Sequence, residues 1–369
     1  MNDKLVVIQL LPKLDTGGAE RSALEVARAL VAAGHRSIVV SAGGRLVRQL
    51  IAEGSEHVEL PIGRKSLAVL FQIRRLRQLF DRIQPDIVHA RSRLPAWLGR
   101  FALRETSRTR FVTTVHGLNS PGRYSAVMAG GDRVICVSNT VRDHVLKHYP
   151  GVDNSRLTVI PRGVDPAEFP YGYCPDSRWR EEFFAAYPLL AGAPLLTLPG
   201  RGTRLKGHAD GIRLLADLED RGIDARLLLL GVREACREEY IAELTALAGK
   251  LGVTEKVVMS APRSDVRDVL SISDLVLQLS VRPEAFGRTV IEALSLCRPV
   301  LGYAHGGVGE LLAELYPAGR VPPSAPERLA ERAAELLTAA PPISPLTRYR
   351  LTDMQAATLS LYEATARRG

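Results

Sequence analysis

Two glutamates, Glu284 and Glu292, are separated by seven residues. Phe286-Gly287 lies between them, and the residues after Gly287 have the apolar spacing of a helix, with Glu292 as the polar exception. The first turn of a helix presents free N–H groups and a partial positive charge, which suit a phosphate. A carboxylate farther along can accept hydrogen bonds from sugar hydroxyls, as acidic residues do from ribose. The stretch therefore predicts a site for a ligand with both groups.

The surroundings of the two glutamates decide between this site and an ordinary helix surface. Either glutamate alone would be read as a solvated side chain. The seven-residue spacing, the intervening Phe-Gly pair and the later Gly306-Gly307 turn together favour a binding site.

Two cations, Arg201 and Lys206, lie in a Gly-rich loop between an apolar run and a helical segment. Cations and a helix N-terminus attract the same anion, so the loop predicts a pyrophosphate clamp. A basic surface loop is the alternative. Arg204 adds a third positive charge, and the residue types leave open which cations face the anion.

A second glycine pair, Gly17-Gly18, follows the apolar run from Leu5 to Leu11 and opens a helical segment. Glycine lets another group approach the backbone there, although no Gly-x-Gly-x-x-Gly fingerprint is present. His116 follows the run VTTV. Alone it would be a capping or core histidine, but at the carboxyl end of a parallel strand it is placed to face a ligand.

These residues sit at the ends of apolar runs that alternate with helical segments in both halves of the chain. Such alternation predicts parallel sheets covered on both faces. Strands are expected at 5–11, 37–41, 58–60, 86–91, 110–116, 133–138, 157–160, 195–199, 225–230, 256–259, 274–279 and 299–303. The segment Leu346–Arg368 predicts a terminal helix.

Composition excludes several classes of protein. Of the 369 residues, 46% are hydrophobic and 24% charged, as in soluble globular proteins, and no apolar stretch reaches the roughly 18 residues of a membrane helix. The start, MNDKLVVIQLLPKLD, reads as a first strand and not as a signal peptide. The four cysteines lack metal-ligand spacing, which fits a reducing cytoplasm.

Positive charge is concentrated in the first part of the chain. The net charge is +9, but residues 1–165 hold 25 basic against 14 acidic residues, and Arg64 to Arg110 alone hold 12 against 3. This distribution suggests an anionic partner, with a solvated basic face as the alternative. The amphipathic segment Ser66–Ile83 predicts either an interfacial helix or a core-packing helix with a basic outer face. Four aromatics in this region have the spacing of helix-packing residues: Phe71, Phe80, Trp97 and Phe101.

Together these pieces resemble the retaining nucleotide-sugar glycosyltransferases of family four. Their signature of two glutamates seven residues apart stands here as Glu284-AFGRTVI-Glu292. Gly17-Gly18, His116 and the Gly-Arg…Lys-Gly loop also match the family. The resemblance implies an α/β fold of the GT-B type, with two Rossmann-like α/β domains facing a central cleft.

The resemblance also implies the domain organisation. IPRGVD, residues 160–165, looks like the segment by which the family leaves its first domain. We therefore expect an N-terminal acceptor-side domain at 1–165 and a C-terminal nucleotide-sugar-binding domain at 166–345. The helix within 346–369 is expected to pack back on the first domain.

The family assigns a role to each matched residue. Glu284 and His116 are expected at the donor sugar, Arg201 and Lys206 at the diphosphate, and Glu292 at the nucleoside ribose. Gly17, Gly18, Phe286 and Gly287 are expected to bind the donor through close backbone approach. The resemblance further implies retention of anomeric configuration, by same-face attack with the leaving phosphate as base.

The expected reaction moves a hexose-type sugar from a UDP-, GDP- or ADP-linked donor to a glycan or glycolipid. No cofactor is expected, and metal independence is predicted because no Asp-x-Asp occurs. VHARSRLPAW, HGGVGELL and YPAGRVP look like enzymes of the lipopolysaccharide core, which work peripherally at the inner face of the cytoplasmic membrane. A sugar-nucleotide epimerase and a non-catalytic basic membrane-binding protein remain alternatives. Nucleic acid is not expected, because no binding module is recognised.

Overall fold

A computed structural model describes residues 4–15, 17–64, 67–104, 107–323, 325 and 327–367. The chain forms two compact units, which are described separately. The first comprises Met1–Arg162 with Leu351–Gly369, and the second comprises Gly163–Arg350.

The first unit is built on a parallel sheet of seven strands in the order β3-β2-β1-β4-β5-β6-β7. The central strands are almost wholly buried, as expected for apolar runs covered on both faces. Chain order reverses between β1 and β4, so a ligand crevice is expected at the carboxyl ends of these two strands. The strands are β1 (Val6–Leu10), β2 (Arg36–Ser41), β3 (Glu56–Glu59), β4 (Ile87–Ala90), β5 (Arg110–Val115), β6 (Arg133–Cys136) and β7 (Leu157–Val159).

Among the described residues before 150, six α-helices belong to this unit. They are α1 (Gly18–Ala32), α2 (Val47–Ala52), α3 (Phe71–Ile83), α4 (Arg93–Ala102), α5 (Arg123–Ala126) and α6 (Asn139–His148). The expected helix over Ser66–Ile83 is α3 preceded by a short 3₁₀ turn, and Ser66 itself lies outside the described residues.

The second unit repeats the architecture with six parallel strands in the order β10-β9-β8-β11-β12-β13. Here chain order reverses between β8 and β11. The strands are β8 (Leu195–Pro199), β9 (Arg226–Leu230), β10 (Val257–Met259), β11 (Leu275–Gln278), β12 (Val300–Tyr303) and β13 (Arg320–Val321). The helices are α7 (Ser177–Ala186), α8 (His208–Asp220), α9 (Glu238–Lys250), α10 (Val266–Ser271), α11 (Arg288–Ser295), α12 (Gly306–Leu315) and α13 (Glu327–Ala339).

The last helix, α14 (Leu351–Ala366), belongs to the first unit. Met354 and Tyr362 are buried in one core with residues of β1, α1 and β4. The expectation that this helix begins at Leu346 is wrong, because the backbone N–H of Val164 donates to Tyr349 O at 2.9 Å and an isolated bridge pairs Val164 with Arg350. Its expected end, Arg368, lies outside the described residues.

All twelve expected strands are present, with ends within two residues of those predicted. The additional strand, β13, is only two residues long, too short to produce an apolar pattern. The predicted α/β fold with two parallel sheets is therefore confirmed.

Candidate functional site

Lys206 and Glu284 form an ion pair in the loops that follow β8 and β11, the strands at which the order of the second sheet reverses. Lys206 Nζ lies 2.5 Å from Glu284 Oε1, and the Ser280 hydroxyl donates to the same oxygen. The two charged side chains are 25% and 23% exposed, so the pair remains accessible from solvent. Two residues 78 positions apart in the sequence thus meet where this type of sheet binds ligands.

A glycine brings the Lys206 loop close to β11. Gly207 has a φ of +72° and begins α8. A Cβ atom there would clash with the carbonyl oxygen of Leu279, so only glycine fits both the backbone and the space. The Val281 N–H donates to Leu205 O at 2.9 Å and completes this contact between the loops.

The turn before α12 fixes Glu284 from its other side. Gly307 N donates to Glu284 O at 2.8 Å. A Cβ at Gly306, which has a φ of +60°, would lie only 2.6 Å from that same oxygen. His305 Nε2 lies 2.8 Å from Ser280 O, a contact that the sequence did not indicate. Because a carbonyl only accepts, His305 carries its proton on Nε2 here.

The three cations of the loop after β8, Arg201, Arg204 and Lys206, have different surroundings. Arg204 makes a two-pronged ion pair with Glu243 of α9 and lies 5.4 Å above the Tyr240 ring. Arg201 is exposed, and no ion pair of its side chain occurs within the part of the chain that the structure describes. Arg204 is therefore engaged with α9, whereas Lys206 is paired with Glu284.

His208, which sequence reasoning missed, lies directly behind this loop. It is fully buried, and its Nδ1 is 3.2 Å from the Tyr240 hydroxyl. Burial, followed by the charge of Lys206, lowers the pKa of His208 to about 4. A neutral imidazole beneath a cationic loop avoids adding a further positive charge.

Glu292 is buried, with 8% exposure, and lies on α11. Arg288 Nε, one turn earlier, lies 3.6 Å from its Oε1. Gly287, with a φ of +112°, precedes the helix and places no side chain over its first turn. Phe286 is 7% exposed and its ring centroid lies 6.1 Å from that of Tyr349, so its side chain packs in the unit. Any ligand contact by Phe286 would come from its backbone.

In the first unit, Gly17 precedes α1 and Gly18 is its first residue. A Cβ at Gly17 would clash with the Glu20 carboxylate, which folds back over the start of the helix. The Glu20 carboxylate therefore lies at this helix N-terminus, beside the glycine pair where another group was expected to approach the backbone. Glu20 was not among the residues that the sequence singled out.

His116 lies immediately after β5, with Nδ1 at 3.2 Å from Nη2 of Arg162. Burial lowers the pKa of His116 well below its ordinary value, and the charges of Arg162 and Arg91 lower it further. The imidazole is therefore neutral at physiological pH. The sequence indicated His116 but gave no signal for its pairing with Arg162, which is 46 residues away.

A cavity of about 280 Å³ opens beside His116 at the carboxyl ends of β1, β4 and β5. It lies at the point where the strand order reverses, so the fold alone favours a ligand here. Arg91 is 3% exposed and donates from Nε to Gln9 Oε1 at 2.6 Å. The polar residues that line the cavity are Glu20, Arg91, Ser92, Arg93, Thr114, His116 and Asn119.

Apolar side chains are exposed beside arginines at the start of α3 and at the end of α4. Phe71 is 77% and Phe101 53% exposed, so the expectation that both pack between helices is wrong, whereas Phe80 is buried. Leu70 is 53% exposed. The buried residues of α3 are Gln72, Leu76, Leu79 and Phe80, so Phe71 lies outside its inner face. The exposed Leu70 and Phe71, with the exposed Arg74 and Arg75 of the next turn, are called the apolar–basic surface below.

Within the described residues, no helix combines the length and hydropathy needed to span a bilayer. Groups of three or more His, Cys, Asp or Glu side chains suited to a metal ion are likewise not found in that part of the chain.

Two family models match the chain in succession. Residues 16–168 match the model described as Glycosyltransferase Family 4, and residues 180–346 match Glycosyl transferases group 1. A curated relative, the D-inositol 3-phosphate glycosyltransferase of Xylanimonas cellulosilytica, is 29% identical over 184 residues, which are 49% of this chain and 43% of the relative. The chain thus spans less than half the length of the first curated relatives it matches.

Solved structures agree over the full length. A glycosyltransferase from Rickettsia africae is 28% identical, with a TM-score of 0.88 and 100% of each chain covered. The Anabaena protein Alr3699/HepE, solved with UDP-glucose, is 19% identical with a TM-score of 0.79 and covers 97% of this chain and 100% of its own. At that identity the second likeness concerns the fold alone.

Proposed function

The chain belongs to the family-four type of glycosyltransferase with the GT-B fold, and from this premise we propose that it transfers a hexose-type sugar from a nucleotide-diphospho-sugar, with retention of anomeric configuration. The observation that carries this proposal is the Lys206–Glu284 pair at the switch point of the second sheet. In this pair, a cation that can bind a phosphate lies beside a carboxylate that can accept hydrogen bonds from a sugar.

The geometry of this pair suggests which part of the donor each residue contacts. An ammonium has three N–H donors, and Lys206 uses one on Glu284, so others can reach phosphate oxygens. Lys206 and Ser280 both bond to Oε1 of Glu284, which leaves Oε2 as the oxygen with capacity for a sugar hydroxyl. Lys206 thereby supports the leaving diphosphate while Glu284 orients the ring.

The remaining residues are assigned from the family motif. Glu292 accepts from the ribose, Arg201 assists Lys206 at the diphosphate, and His116 contacts the donor sugar. The backbones of Gly17, Gly18, Phe286 and Gly287 allow close approach of the donor. In this proposal residues 1–165 form the acceptor-side domain and residues 166–345 the donor-side domain.

Cleavage of the bond from the anomeric carbon to the phosphate leaves negative charge on the diphosphate. Lys206, Arg201 and the start of α11 are the groups that stabilise it. The acceptor oxygen bonds to the anomeric carbon on the face that the phosphate leaves, and the phosphate takes the acceptor's proton, so the configuration is retained. We propose that this requires no metal: turnover should persist in EDTA, and loss that Mg²⁺ or Mn²⁺ restores would contradict the proposal.

We propose a glycan or glycolipid acceptor at the inner face of the cytoplasmic membrane, with the lipopolysaccharide core as the specific case. The sequence segments that look like core enzymes support it. So does the apolar–basic surface, whose exposed Leu70 and Phe71 can enter a lipid interface while arginines meet anionic headgroups.

Liposomes test the membrane part of the proposal. Anionic vesicles should bind the protein, and about 0.5 M salt should weaken binding because it screens the arginines. Leu70→Ser should reduce binding, whereas Leu189→Ser, which removes a leucine of 41% exposure from the second unit, should not. Equal binding by both variants would exclude this surface.

The central experiment screens UDP-, GDP- and ADP-sugars for protection against thermal unfolding, because a ligand that binds only the folded state raises the Tm. The donor that protects is then incubated with and without acceptor glycans, and the anomer of the product is determined by NMR. Product only with an acceptor supports transfer. An altered nucleotide sugar without any acceptor would instead identify an epimerase, and liposome binding without either reaction a non-catalytic membrane protein.

A further inference from the structure

Arg162 and His116 make a buried side-chain contact in the first unit. Arg162 is 5% exposed, and its Nη2 lies 3.2 Å from Nδ1 of His116. Its Nη1 lies 3.6 Å from Sδ of Met354 on α14, so the guanidinium is held from two sides. The motif that identified His116 does not include Arg162, which lies in the IPRGVD segment at the end of the first domain.

This contact determines where the proton of His116 resides. A guanidinium has only N–H donors and is always charged, so the facing Nδ1 must accept with its lone pair. A neutral imidazole whose Nδ1 accepts carries its single proton on Nε2. The imidazolium form would place an N–H against the N–H of Arg162, which is repulsive.

The other charged and titratable neighbours act in the same direction. Arg91 and His89, both on or next to β4, lower the pKa of His116 in addition to burial and Arg162. His89 is itself fully buried with a lowered pKa, and its Nδ1 lies 2.5 Å from the Tyr362 hydroxyl of α14. Among the described residues, no acidic group is a cause of the lowered pKa of His116, although the Glu20 carboxylate lines the same cavity.

The opposite nitrogen of the ring is available to a ligand. Nε2 of His116 is buried and has no hydrogen-bond partner within the described part of the chain. His116 also lines the 280 Å³ cavity. A buried N–H without a partner is unfavourable, so it is expected to donate to an oxygen of a molecule that enters the cavity.

We propose that Arg162 is a positioning residue that holds His116 as the neutral Nε2–H form, so that His116 donates a hydrogen bond to a sugar hydroxyl oxygen and does not act as a base at Nε2. The assignment to a sugar rests on the proposed function, whereas the tautomer follows from the contact alone. A lone pair at Nε2, which proton abstraction from an acceptor would need, is excluded by the donor at Nδ1.

The test is two-bond ¹H–¹⁵N correlation NMR of protein labelled in its histidine rings, with His116 assigned through His116→Gln. The wild-type protein should show a protonated Nε2 and an unprotonated Nδ1 throughout pH 6–8. A protonated Nδ1 in the wild type would overturn the proposal. This measurement needs no variant of Arg162 and no substrate.

Two variants separate positioning from general stability. Arg162→Met should mix the two tautomers and raise the pKa of His116, so that protonation appears at a higher pH, while Arg162→Lys should restore part of the Nε2–H signal. Arg156→Met removes an exposed arginine of the same unit and should leave the His116 spectrum unchanged. An unchanged spectrum in Arg162→Met would show that Arg162 does not set the tautomer.

Kinetics provide the link to function. Arg162→Met should lower kcat about tenfold with a smaller change in donor KM, and the acid limb of its pH profile should move to higher pH. The predicted tautomer with no transfer from any nucleotide sugar would refute the proposed function alone. Transfer activity with the opposite tautomer would refute the role of Arg162 alone.

Discussion

The two units use positive charge in opposite ways. In the second unit, Lys206 is paired with Glu284, and both side chains are about a quarter exposed. In the first unit, Arg162 faces His116, with Arg91 close enough to lower the pKa of the imidazole further. A cation beside a carboxylate makes a neutral pair that can still bind phosphate. A cation beside a histidine keeps that histidine neutral and places its single proton on the ring nitrogen that faces away from the cation.

The comparison also explains why cations of similar sequence context have different uses. Arg204 and Lys206 are two residues apart, yet one is held by Glu243 and the other by Glu284. The partner determines what each cation can do, because a guanidinium gripped by both oxygens of a carboxylate has fewer donors left for a ligand.

The largest expected effect follows from removing the cation of the second-unit site. Lys206→Met should lower kcat by about 10²–10³-fold, the usual cost of losing one donor to a developing negative charge. Arg204→Met is the matched control, since it removes a neighbouring cation that is engaged with α9, and its kcat should stay within about threefold. Steady-state kinetics with saturating donor measure both. Equal losses would mean that the loop acts only through its total charge.

The next effect tests whether the close approach of the loops matters. Gly207→Ala should destabilise the protein by more than the roughly 1–2 kcal/mol of a left-handed alanine, because its Cβ would also meet Leu279 O. Gly222→Ala is the control, because Gly222 has a similar φ of +77° with nothing within 4 Å. Urea unfolding of both variants gives the difference. If both variants lose the same free energy of unfolding, the close approach of the loops at Gly207 does not contribute to stability.

Acidification should affect the first unit more than the second. His89 and His116 in the first unit and His208 in the second have lowered pKa values, so they are neutral when folded and protonated when unfolded below about pH 6.5. Each makes the free energy of unfolding fall by up to about 1.4 kcal/mol per pH unit as pH decreases from 6.5 toward the folded pKa. Hydrogen exchange measured at pH 7 and pH 5.5 should show the larger loss of protection in the first unit, and uniform loss would argue against this difference.

The smallest expected effect concerns Glu292. Glu292→Gln should raise donor KM about tenfold with little change in kcat, because the proposed ribose contact would contribute equally to ground state and transition state. Glu284→Gln should instead lower kcat, since it alters the partner of Lys206. If both substitutions change only kcat, or both change only KM, then Glu284 and Glu292 do not have the separate roles proposed for them.

Local patterns were sufficient for most of the fold but not for the electrostatics of the site. Apolar runs such as Leu195–Pro199 appear as strands because period and flanking glycines are local properties. The exposure of Phe71 and Phe101 could not be predicted, since the helical spacing of an aromatic does not say whether another element covers it. Glu20 lay beside a predicted glycine pair, but its return over α1 depends on a rotamer that the sequence does not specify.

By itself, the sequence determined the alternation of strands and helices and the order of the motifs, and it singled out the candidate site residues. Only the tertiary structure decided which cation faces which partner: Lys206 with Glu284, Arg204 with Glu243 and Arg162 with His116. The physical reason is distance along the chain. Periodicity and turn residues act over a few positions, whereas these pairs are 78, 39 and 46 residues apart. They form only when separate strand ends are brought to the same edge of a sheet, or when a loop meets a helix of the same unit.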